Sequence, residues 1–150
     1  MKDTADTQGF DIDAARDAIR AGAPLAFEGI DVVTTEIHGR RFQFSVDTEH
    51  DPVQRNHRKG GFYEARELNL LKAWFPLGGV FVDFGANIGN HSLFVAGFLS
   101  PARVVPVEPN PRAVRLLLAN VVMNGFEDVI DLEHLGYGVS DKSADDFGVE

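Results

Sequence analysis

The chain has 150 residues, of which 44% are apolar and 25% charged, and its formal net charge is -9. This length and composition are typical of one folded domain with a sizeable core and unlike a disordered chain. The acidic charge argues against a nucleic-acid or anionic-membrane partner, because the field of the molecule repels phosphate groups. The absence of cysteine excludes disulfides and thiolate metal sites.

The N-terminal segment has no apolar core of signal-peptide type, and no apolar run approaches the roughly 18 residues of a membrane-spanning helix. These features predict a cytoplasmic protein without a membrane partner.

Residues 1–79 predict an N-terminal appendage of helix, β-hairpin, loop and helix. Apolar residues recur at helical spacing between Asp11 and Ala21. The alternating runs VVTTEI and RFQFSV flank His38-Gly39-Arg40 and indicate a hairpin with one buried face. The polar stretch from Asp47 to Gly61 predicts a loop, and FYEARELNLLKAWF restores the helical spacing.

Residues 80–150 predict strands that alternate with helices. The strand-like runs are VFVDFG, RVVPVE and VIDLEHL, and the helical patterns between them are HSLFVAGFL and PRAVRLLLANVVMNG. This order indicates right-handed crossover units on a parallel sheet. The predicted fold class is therefore α/β, with the front half of a doubly wound sheet as its second part.

The stretch FVDFGANIGNHS places a sharp turn after the first of these strands, where open parallel sheets bind ligands. Asn87 and Asn90 stand where a dinucleotide-binding turn has glycine. Asparagine tolerates left-handed backbone, but its side chain fills the space that a pyrophosphate needs. The turn therefore favours a cofactor without phosphates, and Asn90 is also predicted to cap the next helix.

Glu108 ends the second strand, 25 residues after Asp83, close to the spacing of about 20 residues expected for an acid that binds ribose hydroxyls. Pro109 favours extended backbone at Glu108. A free ribose, an amino-acid tail and no phosphate together describe S-adenosylmethionine. Simpler roles stay open, since Asp83 and Asn87 can serve the turn alone and Glu108 can be a solvated acid.

VFVDFGANIGNHSLF followed by RVVPVEPNPRAVRLLLANVVMNG resembles the FkbM family of S-adenosylmethionine-dependent methyltransferases. The resemblance implies a Rossmann-like class I methyltransferase sheet in residues 80–150 and methyl transfer to a sugar or small-molecule hydroxyl. It identifies no catalytic residue. The residues that it implies around the methionine part of the cofactor are Asp83, Gly85, Ala86, Asn87 and Gly89.

The same resemblance implies that Glu108 holds the ribose and that Pro109 and Asn110 lie beside the adenine. The loop from Gly138 to Asp141 would lie on the other side of the adenine. Glu64 would approach the ammonium group of the cofactor, or alternatively serve as an acid that favours a helix N-terminus.

Two departures from the family pattern bear on these expectations. Pro106 cannot donate within a strand ladder, which predicts a bulge or a lost hydrogen bond. The family continues into a fourth strand, without which VFVDFG has an apolar edge that another copy of the chain could cover. A truncated or degenerate cofactor-binding protein without methyl transfer is therefore one alternative, and an NAD-dependent oxidoreductase is another that Asn87 and Asn90 disfavour.

Histidines provide the remaining candidates. His50, Asp51 and His57 lie in the predicted polar loop without a spacing that converges them, so no metal site is predicted. His91, beside the turn, is either a general base for an acceptor hydroxyl or a packing residue in the first turn of its helix.

Overall fold

The computed structural model describes residues 9–140. No helix in this part of the chain is long and apolar enough to cross a membrane. The helices and strands follow one another as α1 (Ile12–Arg20), β1 (Asp31–Ile37), β2 (Arg40–Val46), α2 (Pro52–Arg58), α3 (Ala65–Trp74), β3 (Val80–Phe84), α4 (Asn90–Phe98), β4 (Arg103–Val107) and α5 (Pro111–Asn124).

The predicted hairpin forms from β1 and β2, which pair antiparallel from Asp31 opposite Val46 to Ile37 opposite Arg40. The inward side chains of β2 are fully buried, as the alternation predicts: Phe42, Phe44 and Val46. This apolar face places the hairpin on the helices of the second part of the chain.

The second sheet consists of β3 and β4, which pair parallel with Phe81 beside Val104 and Phe84 beside Val107. Helix α4 follows β3 and α5 follows β4, so the crossover pattern of the sequence is confirmed as an α/β fold. One core cluster joins Phe42 and Phe44 of the hairpin with Leu93 of α4 and Leu117 of α5. The hairpin and the sheet therefore share one hydrophobic core, while the division at residue 79 stays a prediction.

Two asparagines of α5, one helical turn apart, hold the hairpin in place. The Asn120 Oδ1 atom accepts from the Ser45 amide at 2.6 Å, and its Nδ2 donates to the Ile88 carbonyl at 2.8 Å. The Asn124 side chain accepts from the Gln43 amide and donates to the Gln43 carbonyl. Within residues 9–140, β2 pairs with β1 on one edge only, so these amides satisfy main-chain groups that a third strand would otherwise pair.

The predicted loop from Asp47 to Gly61 contains a helix, α2, that the sequence prediction missed. The Asp51 side chain accepts from the Gln54 amide at 2.9 Å, and Pro52 occupies the first turn. Both residues are recognised helix-start signals. The polar composition of the segment obscured them.

The predicted strand VIDLEHL is wrong within the described residues, because this segment makes only isolated bridges at Ile130 and Leu135. The predicted bulge at Pro106 is also absent, since Pro106 stays in register beside Asp83. The Val104 amide donates to Val129, away from β3, so the Pro106 nitrogen, two residues on, faces the same side. The missing N–H of Pro106 therefore lies between the bridges at Ile130 and Leu135. Its absence explains why residues 129–135 do not pair continuously with β4.

Candidate functional site

The turn between β3 and α4 is built from left-handed backbone. Gly85, Asn87 and Gly89 have φ values of 71°, 52° and 92°. A Cβ atom at Gly89 would lie 3.3 Å from the Leu117 Cγ atom, so the residue also allows close packing against α5. The Gly85 amide donates to the Val107 carbonyl at 2.9 Å, which fixes the turn to the end of β4.

Glu108 lies between this turn and the start of α5. Its Oε2 atom accepts from the Asn87 amide and its Oε1 from the Asn110 amide, both at 2.9 Å. The residue is only 8% exposed. A carboxylate offers about four lone-pair positions, so these two bonds leave it able to accept from two hydroxyl groups.

Asp83 lies below the turn and accepts from the Ser92 hydroxyl at 2.6 Å. Burial raises the pKa of Asp83, whereas the Ser92 hydrogen bond and the charge of His91 act in the opposite direction. A nearby cation would favour the ionised carboxylate further. Asp83 is therefore a half-buried acid before the turn that a positively charged ligand would stabilise in its ionised form.

Glu64 and His91 face each other beside the turn. Their Oε2 and Nε2 atoms are 3.4 Å apart, and both side chains are partly exposed. Glu64 has a φ of 56° and begins α3 without a side-chain cap hydrogen bond. A left-handed glutamate is a strained conformation of the kind found at functional sites. His91 is thus placed in the first turn of α4 as a partner of Glu64.

Asn90 does not cap α4 as the sequence predicted; Gly89 is the cap residue and Asn90 the first residue of the helix. The Asn90 side chain is 3% exposed and points to the appendage. Its Oδ1 atom accepts from the Tyr63 amide at 3.0 Å and its Nδ2 donates to the Tyr63 carbonyl at 2.9 Å. Asn90 therefore ties the turn to the residue that precedes Glu64.

His57 is a residue that the sequence prediction assigned to a solvated loop. It is fully buried, its ring stacks on Phe44 at 4.1 Å, and its Nε2 atom is 2.9 Å from the Asn90 Oδ1 atom. Burial lowers the pKa of His57 to about 4, while Asn90 and Asp51 act in the opposite direction. The spacing of Val53 and His57 on a helix started by Asp51-Pro52 is the signal that could have found it.

A cavity of about 370 Å³ lies beside the turn, between α2 and the first turns of α5. Its apolar floor is Ile88, Ala113 and Leu116. Its polar lining includes Asn87 and Asn110, whose amides hold Glu108. This volume is within the range of small-molecule sites. The remaining lining residues are Thr48, His50, Asp51, Gln54 and Arg112.

The fold brings most of the predicted site residues to the carboxyl ends of β3 and β4. Ala86 is buried in the turn, and a Cβ atom at Gly138 would lie 3.8 Å from the Pro109 Cβ. Asp141 lies outside the described residues. Within residues 9–140, no three histidine or acidic side chains are grouped to hold a metal ion.

Comparison with protein families gives a match to the TRM5/TYW2 methyltransferase domain over residues 64–142, which is 79 of the 150 residues. Comparison with curated protein sequences gives no match.

Three solved structures are similar to this chain, two of them with a TM-score of at least 0.50. The Pyrococcus horikoshii transferase PH0793 has a TM-score of 0.50 and 19% identity, over 82% of this chain and 45% of its own. The complex of aTrm5 and tRNALeu has a TM-score of 0.51 and 20% identity, over 79% of this chain and 32% of its own. M. jannaschii TYW2 in complex with AdoMet has a TM-score of 0.49 and 24% identity, over 72% of this chain and 44% of its own. The chain thus spans less than half the length of each of these proteins.

Two predictions from the sequence change with these comparisons. The family that matches is TRM5/TYW2, so the FkbM assignment holds only at the level of an S-adenosylmethionine methyltransferase. The predicted absence of a nucleic-acid partner is wrong, because the same fold occurs in aTrm5 bound to tRNALeu. Net charge is a sum over the whole chain, whereas RNA is contacted by a local surface, so a value of -9 does not exclude RNA.

Proposed function

The chain belongs to the TRM5/TYW2 methyltransferase domain family, and on this premise we propose that it binds S-adenosylmethionine beyond β3 and β4 and acts in methyl transfer to tRNA. The prediction of a methyltransferase agrees with the family. The acceptor proposed here replaces the sugar or small-molecule hydroxyl expected from the sequence, for which the family match gives no support.

The observation that carries the proposal is the position of Glu108. Its carboxylate is held by the Asn87 and Asn110 amides, in a turn that carries the left-handed Asn87 where a pyrophosphate-binding turn has glycine. The remaining acceptor positions of the carboxylate fit the two hydroxyls of an unphosphorylated ribose. We therefore assign the ribose to Glu108 and the adenine to the side of Pro109 and Asn110.

Acidic residues on the opposite side of the turn fit the other end of the cofactor. Asp83 is half-buried at the end of β3, and Glu64 faces His91 of α4 with a partly exposed carboxylate. S-adenosylmethionine carries a sulfonium and an ammonium group, and it supplies the methyl group when bound. Glu64 would bind the ammonium, and Asp83 would favour the positive charge from behind Gly85 and Ala86.

The contribution of these residues to the reaction is to fix the position of the methyl donor. A turn whose Gly85 and Asn87 amides are bonded to Val107 and Glu108 would hold a bound nucleoside in one orientation. An in-line displacement gains most of its acceleration from such positioning of the reacting atoms. The acceptor atom and its base are not assigned.

The cofactor assignment is tested by calorimetric titration of S-adenosylhomocysteine. Glu108→Ala should weaken binding by at least about tenfold, since it removes charge-assisted hydrogen bonds to two hydroxyls. Glu127→Ala removes an exposed glutamate after α5 and should bind like the wild type. Equal affinities of the two variants would contradict the assignment.

An RNA partner requires local positive charge on this acidic chain. Helix α2 and the residue after it carry Arg55, Arg58 and Lys59 without a carboxylate between them. Arg58 lies 3.6 Å from Asp31, whereas Arg55 and Lys59 are exposed. Arg55 lies on the helix that also lines the cavity beside Asn87, and Lys59 follows directly after that helix. We include this surface in the proposal as the face that contacts phosphate.

Filter binding of unmodified tRNA at several salt concentrations tests whether this surface contacts RNA. Lys59→Glu should weaken binding and reduce the salt slope by about one, because one phosphate contact is lost. Lys72→Glu makes the same charge change at an exposed position of α3 and is the matched control. The RNA proposal fails if the wild type shows no salt-dependent binding, or if both variants lose affinity equally.

A further inference from the structure

The link between α2 and the cofactor turn passes through one buried side-chain amide. Asn90 accepts and donates hydrogen bonds with the main chain of Tyr63, as a neighbouring strand would, and its Oδ1 atom also meets the His57 Nε2 atom. Both Asn90 and His57 are buried. The three residues come from three separate segments of the chain.

The partner of His57 fixes the form of its ring. An amide oxygen only accepts, so the His57 Nε2 atom must carry the proton and donate. The Nδ1 atom is then unprotonated, and it has no hydrogen-bond partner among residues 9–140. Leaving a buried nitrogen unpaired costs stability. A fully apolar ring would stack on Phe44 without that cost, so the stacking alone does not explain a histidine here.

The N–H group of His57 fixes the orientation of the Asn90 side-chain amide. An asparagine amide can rotate by half a turn, which would present its Nδ2 group to the Tyr63 amide. The His57 N–H opposes that rotation, because two donors would then face each other. His57 therefore holds Asn90 in the one orientation that binds both the amide and the carbonyl of Tyr63.

The residue that follows Tyr63 is Glu64, whose backbone is left-handed and whose carboxylate faces His91 of α4. Without the hydrogen bonds to Tyr63, this segment could relax the strain at Glu64. We infer that His57, through Asn90 and Tyr63, is a positioning residue that sets Glu64 beside the turn for the amino-acid part of the cofactor. The inference rests on the proposed function and adds a residue outside the predicted site.

The test compares two ligands that share the adenosine. S-adenosylhomocysteine has the amino-acid tail, and 5′-methylthioadenosine lacks it. His57→Phe keeps the ring beside Phe44 and removes the donor. Calorimetry should show an affinity for S-adenosylhomocysteine reduced by about tenfold, the usual effect of one lost interaction with a charged group. The affinity for 5′-methylthioadenosine, which depends on Glu108, should be unchanged.

Two further variants make the result specific. His134→Phe changes an exposed histidine after α5, and the affinities for both ligands should stay unchanged. Glu64→Gln should reproduce the selective loss in a chain whose core is intact, and the double variant should lose no more than either single one, because both act through the same contact.

The outcomes separate the two proposals. Equal losses for both ligands in His57→Phe, no loss at all, or additive losses in the double variant would overturn the positioning role. A wild-type chain that binds neither ligand would overturn the proposed function, and the inference with it, in the first titration. Equal losses for both ligands in Glu64→Gln would overturn the inference even if His57→Phe loses its native circular dichroism, because no Glu64 contact with the amino-acid tail would then exist to be positioned.

Discussion

At the scale of single residues, the two asparagines of the turn have different roles that their spacing does not reveal. Asn87 adopts left-handed backbone and donates its amide to Glu108. Asn90 is helical and directs its side chain to Tyr63 and His57. Asparagine suits both positions, because it tolerates positive φ and carries one donor and one acceptor group.

The buried His57 predicts a specific dependence of stability on pH. Its pKa is lowered from 6.5 to about 4 in the folded chain. Between these values the unfolded chain binds a proton that the folded chain does not, so the free energy of unfolding falls as the pH is lowered from about 6.5 to about 4. The loss attributable to His57 should be about 3 kcal/mol.

Urea unfolding at a series of pH values measures this dependence. His57→Phe should remove it, so that the variant gains stability relative to the wild type below pH about 6. His134→Phe, at an exposed histidine, should follow the wild-type curve. Parallel curves for the wild type and His57→Phe over the whole range would contradict the assignment.

At the scale of secondary-structure elements, packing overrides local preference in α4. Gly97 lies inside this helix, where alanine is normally more stable by roughly 0.5–1 kcal/mol. A Cβ atom at Gly97 would lie 2.5 Å from the Phe42 ring of the hairpin. The glycine is therefore required by the approach of β2 to α4.

Gly97→Ala should accordingly destabilise the fold by about 1–3 kcal/mol, because the added methyl group overlaps the Phe42 ring, which is fully buried among the rings of Phe44, Phe62 and Phe126. Gly61→Ala, where an added Cβ atom meets nothing within 4 Å, is the matched control and should be neutral or slightly stabilising. Thermal unfolding of both variants measures the difference. A Gly97→Ala protein as stable as the control would show that the hairpin packs less closely on α4.

At the scale of the whole molecule, one side of strand β3 is exposed among residues 9–140, although Val105 and Val107, its partners in β4, are buried. Val80, Val82 and Phe84 alternate along β3 and are 58%, 45% and 67% exposed. The exposed apolar residues of α3 and the segment after it include Leu70, Trp74 and Leu77. Exposed apolar side chains of this size and number favour association.

The 150-residue chain should therefore bind a hydrophobic dye in its folded state. Replacing Val80 and Val82 together by threonine keeps the β-branched shape and should reduce both dye fluorescence and light scattering. Val32→Thr, at a 48% exposed position of the hairpin, tests whether any exposed valine has this effect. Equal dye binding by the wild type, the double variant and Val32→Thr would show that the dye does not bind at β3.

The sequence alone determined the features that depend on neighbours along the chain: the hairpin, the crossover order, the sharp turn after Phe84 and the methyltransferase class. Period-two alternation, glycine spacing and the acid after the second strand are local patterns, and the structure that each one predicts is found in the folded chain. The sequence prediction was wrong where polar composition concealed α2 and where Pro106 interrupts the pairing with residues 129–135.

Only the tertiary structure decided which polar residues belong to the site. His57 and Asn90 are 33 positions apart. They meet because the His57 ring stacks on Phe44 of the hairpin, which packs in one core with α4, the helix that carries Asn90. Glu64 depends on Tyr63, which is held by a side chain from another helix. Such contacts join distant segments, and no periodicity in a single sequence encodes them. The turn and its acid could be predicted from local pattern, whereas the residues that hold them required the packed chain.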